Sequence, residues 1–268
     1  MNKSPLRYPG GKTRACKKLD LIFSKHFNTN KYSVIVSPFF GGGSFEFYIQ
    51  NKYKYSIRAN DGFMPLANFW NLCKNNKEEL CMQLSQYFDT EGISIVTKED
   101  FYNFRNQIMD EEDELTKGVY YFIINRCSFS GATLSGGFSQ EASKKRFTKS
   151  SVARIQALDL TNSTFANQDF QTFLGTEDPP EIFTFLDPPY YLEKNSKLYG
   201  KGGDMHKGFD HKKLYEILQN KTDWLMTYND CPFIRDLYKD FTILEEDWTY
   251  GMNKSKKSSE IVIIHLKK

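Results

Sequence analysis

Apolar and polar positions along the chain change period several times, and the changes mark out its elements. Short runs rich in β-branched and aromatic residues, SVIVS at 33–37 and YSIRA at 55–59, flank a helical stretch at about 44–52 and predict a βαβ opening. From about 63 to 159 no buried strand is evident. Helical windows fall instead near 78–88, 98–110 and 115–125, followed by the turn-rich segment SFSGATLSGGFS. Strand-like runs resume with IFTFL at 182–186, WLMTY at 224–228, FTILE at 241–245 and EIVIIHL at 260–266, with a helix at 212–220. The last two runs have no helix between them, which predicts a terminal antiparallel hairpin. Sheet, helical insertion and sheet again predict an α/β, doubly wound core interrupted once.

Length and composition narrow this picture. At 268 residues and 40% hydrophobic content the chain can bury a large core, which excludes small stapled scaffolds. A net charge of +3 excludes a polycationic coating protein. The bases are nonetheless grouped: residues 1–18 hold six and no acid, residues 142–154 hold five and no acid, and residues 253–268 hold five against Glu260. The remainder is therefore acidic, as suits a protein that meets a polyanion on one face. Five cysteines in no CxxC spacing read as reduced thiols, and the four histidines, His26, His206, His211 and His265, form no metal-binding pattern, so no metal is expected. With no apolar leader and no apolar run near the roughly 18 residues of a membrane span, an intracellular, soluble protein is expected.

Three segments carry candidate chemistry. Phe39-Phe40-Gly41-Gly42-Gly43-Ser44 follows a strand and opens a helix, so its backbone can approach a ligand closely; a plain tight turn is the alternative. The GxGxxG pattern is incomplete because Glu46 stands at its third glycine. Asp61 follows the next strand, where a Rossmann-like fold places a ribose-binding acid, although a helix cap would serve equally. Gly10-Gly11-Lys12-Thr13 imitates a phosphate loop, but Leu6 occupies the position of its first glycine, which disfavours a nucleotide triphosphatase; the glycine pair would instead aim the Lys12 ammonium at a carboxylate ligand. Asp187-Pro188-Pro189-Tyr190 ends the buried run IFTFL and would face the ligand crevice. Its prolines stiffen the turn and remove two N–H donors, leaving the Asp187 carboxylate and the Pro188 carbonyl as acceptors beside a flat Tyr190 ring. The similar Asp178-Pro179-Pro180-Glu181 precedes the strand and reads as a loop.

Taken in order, RYPGGK, PFFGGGS, an Asp ending the second strand, INRCSFSG and FLDPPY resemble the D12-class, Dam-like adenine-N6 DNA methyltransferases, and the arrangement is similar to their alpha group. The resemblance extends over FDHKKL, WLMTYND and SSEIVII and is weakest at 73–114. It implies a Rossmann-like seven-stranded methyltransferase sheet. Residues 1–70 and 160–268 would form the S-adenosylmethionine-binding catalytic domain, and 71–159 an inserted target-recognition domain. It also implies that Tyr8, Lys12, Phe39, Gly41, Gly43, Asp61, Asp169 and Phe170 hold S-adenosyl-L-methionine, and that Asp187, Pro188, Pro189 and Tyr190 receive a flipped adenine. Asn125, Arg126 and Ser130 would bind DNA, in the segment that supports a recognition hairpin at 134–146. Lys144, Lys145, Arg146 and Lys149 would contact double-stranded DNA, an ordinary solvated face being the alternative. The implied function is site-specific methylation of adenine N6 in duplex DNA. Alternatives are methylation of RNA or of a protein glutamine, and an inert DNA-binding relative. The chain departs from the family at Ser37, where an acid that would face the methionine ammonium is usual.

Overall fold

The computed structural model describes residues 1–175, 179–191, 208–248 and 258–266. Seven strands form one sheet: β1 (Val34–Ser37), β2 (Ser56–Asn60), β3 (Ser163–Ala166), β4 (Ile182–Leu186), β5 (Trp224–Asn229), β6 (Thr242–Trp248) and β7 (Ser258–His265). Their spatial order is β3-β2-β1-β4-β5-β7-β6. The first five run parallel, while β7 lies antiparallel between β5 and β6. This is the α/β methyltransferase-like sheet with the expected terminal hairpin. Strand order reverses between β1 and β4, so the carboxyl ends of these two neighbours open the crevice in which doubly wound sheets bind ligands.

Burial explains which strands show in the sequence. All five residues of β4 are buried, because both faces of a central parallel strand are covered, and the run is apolar apart from Thr184. β3 has no counterpart among the strands expected above. It occupies the outer edge of the sheet, and only Ser163 of its four residues is buried, so no apolar alternation announces it.

Around and between the strands run α1 (Cys16–His26), α2 (Ser44–Tyr53), α3 (Met64–Asn75), α4 (Lys77–Ser85), α5 (Lys98–Gln107), α6 (Glu114–Cys127), α7 (Gln140–Lys145), α8 (Lys149–Gln156), α9 (Phe170–Leu174), α10 (His211–Leu218) and α11 (Pro232–Leu237). Local chemistry sets several starts. Thr97 and Asp100 form a reciprocal capping box on α5, Thr148 and Ser151 do the same on α8, and Asp113 of the acidic run 110–114 caps α6. Gly118 lets α6 approach α3 closely, because a Cβ there would collide with Leu72. One hydrophobic cluster unites Ile35, Phe45 and Phe183 of the sheet layer with Leu80, Phe101, Phe122 and Phe147 of the helical middle block. A second packs Leu186, Trp224, Met226, Ile261 and Ile263 against Leu214 and Leu218 of α10.

The hairpin expected at 134–146 is not formed. A 3-10 turn (Thr133–Ser135) is followed by α7, and a single antiparallel bridge, Ser128 to Phe138, is all the strand pairing in this region. The Ser139 side chain accepts from the Ala142 N–H and caps a run of straight-chain helix formers, Gln140, Glu141, Ala142 and Lys144, with no β-branched residue to favour a strand. Asp178, His206 and the basic residues at 254–257 and 267–268 lie outside the described residues.

Candidate active site

The turn after β4 gathers side chains from distant parts of the chain. Lys12, 4% exposed in a 3-10 turn (Lys12–Arg14), places Nζ 2.7 Å from both oxygens of Asp187 and 3.1 Å from the Tyr190 hydroxyl. The carboxylate that meets the Lys12 ammonium here is the protein's own, at the end of β4, and not the ligand carboxylate expected from the sequence. On β5, Thr227 donates from Oγ1 to Asp187 Oδ1 at 2.7 Å. The Tyr190 hydroxyl donates to Glu260 Oε1 on β7 at 2.5 Å, and its ring stacks on Tyr228 at 5.8 Å. Behind it, Tyr228 meets His211 Nδ1, and its hydroxyl lies 3.4 Å from the Pro189 carbonyl. The sequence identified Asp187, Tyr190 and Lys12. Thr227 and Glu260 were missed: Thr227 reads as an interruption of the apolar strand β5, and Glu260 as the last of three polar residues that open β7.

On the β1 side, Gly41 (φ +51°) and Gly43 (φ +65°) take left-handed conformations, and the Tyr8 ring lies so close that a Cβ at Gly41 would sit 2.8 Å from it. Gly41 donates its N–H to Asp61 Oδ2 at 2.9 Å, and Asp61 Oδ1 accepts the Phe63 N–H at 2.9 Å. Asp61 therefore ties the glycine loop to the start of α3. Burial pushes its carboxyl up to about 6. Phe39 and Phe170 approach each other at 5.8 Å, and both touch Phe209, at 5.4 and 5.1 Å. This three-ring wall includes Phe209, which its motif FDHKKL gave no reason to single out. Asp169 is exposed, and its carboxylate accepts the Gln171 N–H at 2.9 Å to cap α9. Glu46, in the first turn of α2, is buried and accepts a 2.6 Å hydrogen bond from Ser37 Oγ.

The third group lies along a seam between the amino-terminal segment and the helical block. Asn125 is fully buried and grips the Arg7 backbone, accepting its N–H at 3.0 Å and donating to its carbonyl at 2.7 Å. Arg126, 6% exposed, donates from Nε to the Arg146 carbonyl at 2.7 Å and from Nη1 to the Pro5 carbonyl at 3.1 Å. Burial and the nearby Arg7, Arg154 and Arg146 lower its guanidinium to about 10. Asn125 and Arg126 thus point into the protein, while Lys144, Lys145, Arg146 and Lys149 are exposed. Two of the three basic segments, 1–18 and 142–154, meet here. Ser130 (φ +56°) and Gly131 (φ +75°) bend the following loop and present Phe129, which is 70% exposed. A large ring held out in water beside a basic seam has no signature of its own in the sequence, where it is one of 23 phenylalanines.

Among the described residues no cluster of three His, Cys, Asp or Glu side chains is suited to hold a metal ion, and no helix is long and apolar enough to cross a membrane. The model of the family "D12 class N6 adenine-specific DNA methyltransferase" matches residues 8–252. The chain is similar to the type II methyltransferase M.MjaIII of Methanocaldococcus jannaschii, with 25% identity over 89% of this chain and 88% of that protein. It is also similar to the modification methylase StsI of Streptococcus sanguinis, with 26% identity over 75% of this chain and 30% of that longer protein.

Proposed function

The chain belongs to the D12 class N6 adenine-specific DNA methyltransferases, and from that premise we propose that it methylates N6 of an adenine flipped out of duplex DNA, with S-adenosylmethionine as donor. The observation that carries this reading is the convergence of Lys12, Asp187, Thr227 and Tyr190 at the carboxyl end of β4, beside the glycine loop that follows β1.

Two features fit the donor. Phe39, Phe170 and Phe209 offer an aromatic wall for an adenine ring. Glu46 offers a buried carboxylate on the same side of the sheet as the loop of Gly41 and Gly43, beside which Tyr8 and Asp61 lie. Bound there, S-adenosylmethionine supplies an electrophilic methyl group on a sulfonium.

The chain's own residues do the remaining work. The N6 lone pair of adenine is delocalised into its ring and nucleophilic only when drawn out of conjugation. Hydrogen bonds from the amino group to Asp187 and to the Pro188 carbonyl accomplish this and fix the direction of attack. Thr227 occupies Oδ1, so Oδ2 is the better acceptor toward N6. Lys12 beside both oxygens orients the carboxylate. After transfer, the proton that N6 sheds passes to Asp187, whose side chain is 23% exposed, and from there to water. Tyr190, braced by Lys12 and Glu260, gives the flipped base a stacking surface, which offsets part of the few kcal/mol of unstacking.

Residues 71–159 act as the recognition domain in this reading. Lys144, Lys145, Arg146 and Lys149 meet phosphates, Ser130 shapes the loop, Asn125 and Arg126 hold it against the amino-terminal segment, and the exposed Phe129 ring enters the stack that the flipped base leaves. The test is methyl transfer from labelled S-adenosylmethionine to duplex DNA, RNA and protein in parallel. N6-methyladenine in the duplex is expected. Retained cofactor binding without any methylated adenine would overturn the reading.

A further inference from the structure

Glu46 lies on the donor's side of the sheet without a role in the transfer step, and its placement is costly. It is 2% exposed, and Ser37 Oγ donates to it at 2.6 Å. Among the described residues no lysine or arginine forms an ion pair with it. The charged and titratable groups that face it are Lys12 from the opening 3-10 turn, Cys16 from α1 and Asp187 from the turn after β4. Of these, the one cation, Lys12, sits 2.7 Å from both Asp187 oxygens. Burial raises the Glu46 carboxyl to about 7. A carboxylate taken out of water without a cation is unfavourable, and an apolar side chain at this helix position would avoid that cost. The placement makes sense if the cation arrives with a ligand.

We propose that Glu46 is the counter-charge for the ammonium group of the cofactor's methionine end, with the Ser37 hydroxyl orienting its carboxylate. The inference rests on the reading that the chain binds S-adenosylmethionine, and it accounts for Ser37. At that position similar enzymes place an acid at the end of the strand; here the strand end keeps a hydroxyl, and the charge is supplied from the first turn of α2, hydrogen-bonded to that hydroxyl. The glutamate that breaks the GxGxxG pattern and the serine that breaks the acid pattern are then two halves of one arrangement.

Calorimetric binding of S-adenosylhomocysteine and of 5′-methylthioadenosine, the same nucleoside without the amino-acid end, separates the possibilities. Glu46→Gln is expected to weaken S-adenosylhomocysteine by at least about tenfold, the order of a missing charge-assisted hydrogen bond. Methylthioadenosine affinity should change by less than about twofold, which also reports that the variant is folded. In the unmodified protein, S-adenosylhomocysteine binding should release part of a proton near pH 7 and weaken as pH falls below it, since the ligand favours ionised Glu46. Methylthioadenosine should release none. Equal loss of both ligands, no loss of either, or absence of proton release would overturn the role of Glu46. If the unmodified protein binds neither ligand, the cofactor reading itself fails. The proton-release measurement needs no variant and so decides even if the glutamine protein does not fold.

Discussion

The Asp187 turn half-buries a charged motif residue and the Arg126 seam buries one, and they satisfy it differently. At the turn the partners are side chains: Lys12 and Thr227 on Asp187, then Tyr190 and Glu260 beyond. At the seam they are backbone carbonyls: those of Arg146 and Pro5 for Arg126, and that of Arg7 for Asn125. A side chain that holds carbonyls fixes the path of two segments, so its loss is felt by the fold. A side chain held by other side-chain tips can give up a partner to a ligand while the backbone stays where it is. Two equally conspicuous motifs, DPPY and INRCSFSG, are therefore held differently, and in the function proposed above one serves chemistry and the other architecture.

The largest expected effect breaks the chemistry alone. Asp187→Asn keeps shape and removes the charged acceptor, so methyl transfer should fall by about 10³-fold, on the scale of removing one electrostatic partner of a transition state. Its thermal midpoint should move less than that of Arg126→Ala. The seam variant leaves the buried Pro5 carbonyl and the half-buried Arg146 carbonyl without these donors and should cost about 3 kcal/mol of stability, read as an earlier denaturant midpoint at an unchanged slope. If Arg126→Ala proves as stable as the parent and loses DNA binding instead, the contrast between the two regions collapses.

This contrast also explains what the sequence made legible. Strands with both faces covered, such as β4, and glycines with left-handed geometry, such as Gly41, leave local signatures. The edge strand β3 leaves none, because its partners are on one side only and Thr164 faces water. Thr227 and Glu260 were invisible for a different reason. Each matters through a neighbour 40 or 70 residues away, a relation that no local pattern records. The basic run 142–154 was readable as charge, but its helical form was not, since the capping Ser139 looks like any turn serine until the chain is folded. Arg126 was legible as a motif residue, whereas its inward direction depends on where Pro5 lies.

A smaller effect sharpens the comparison within the catalytic half. Asp61 and Glu46 are buried carboxyls raised to about 6 and about 7. A carboxyl raised in the folded state contributes stability that is fully present below its unfolded value and is lost as pH rises through the folded one. The ligand-free protein should therefore lose stability, by a few degrees of midpoint, between about pH 5 and pH 7.5. His265, lowered by burial, acts in the opposite direction over the same range, so the informative quantity is a difference. Glu46→Gln minus parent should be flat below about pH 5 and grow in favour of the variant through pH 7. A difference that does not vary with pH would mean that Glu46 is already ionised and compensated without ligand.

The smallest effect tests the seam from outside. Arg146 presents an exposed guanidinium while Arg126 holds its backbone carbonyl, so Arg146→Ala removes a charge and keeps the internal bond. Lys144 is exposed as well, with Nζ 2.5 Å from the Ser94 carbonyl. Replacing both by alanine should leave the fold intact and weaken DNA binding. The dependence of log affinity on log salt should become shallower by about one to two units, one for each phosphate no longer neutralised. Turnover at saturating DNA should stay unchanged, because neither residue approaches the Asp187 turn. An unchanged salt slope would remove these two charges from the DNA interface and leave 142–154 as a solvated helical face. A fall in turnover at saturating DNA would be more damaging, since it would mean that the seam transmits its state to the catalytic turn and that chemistry and architecture are not divided between the two motifs.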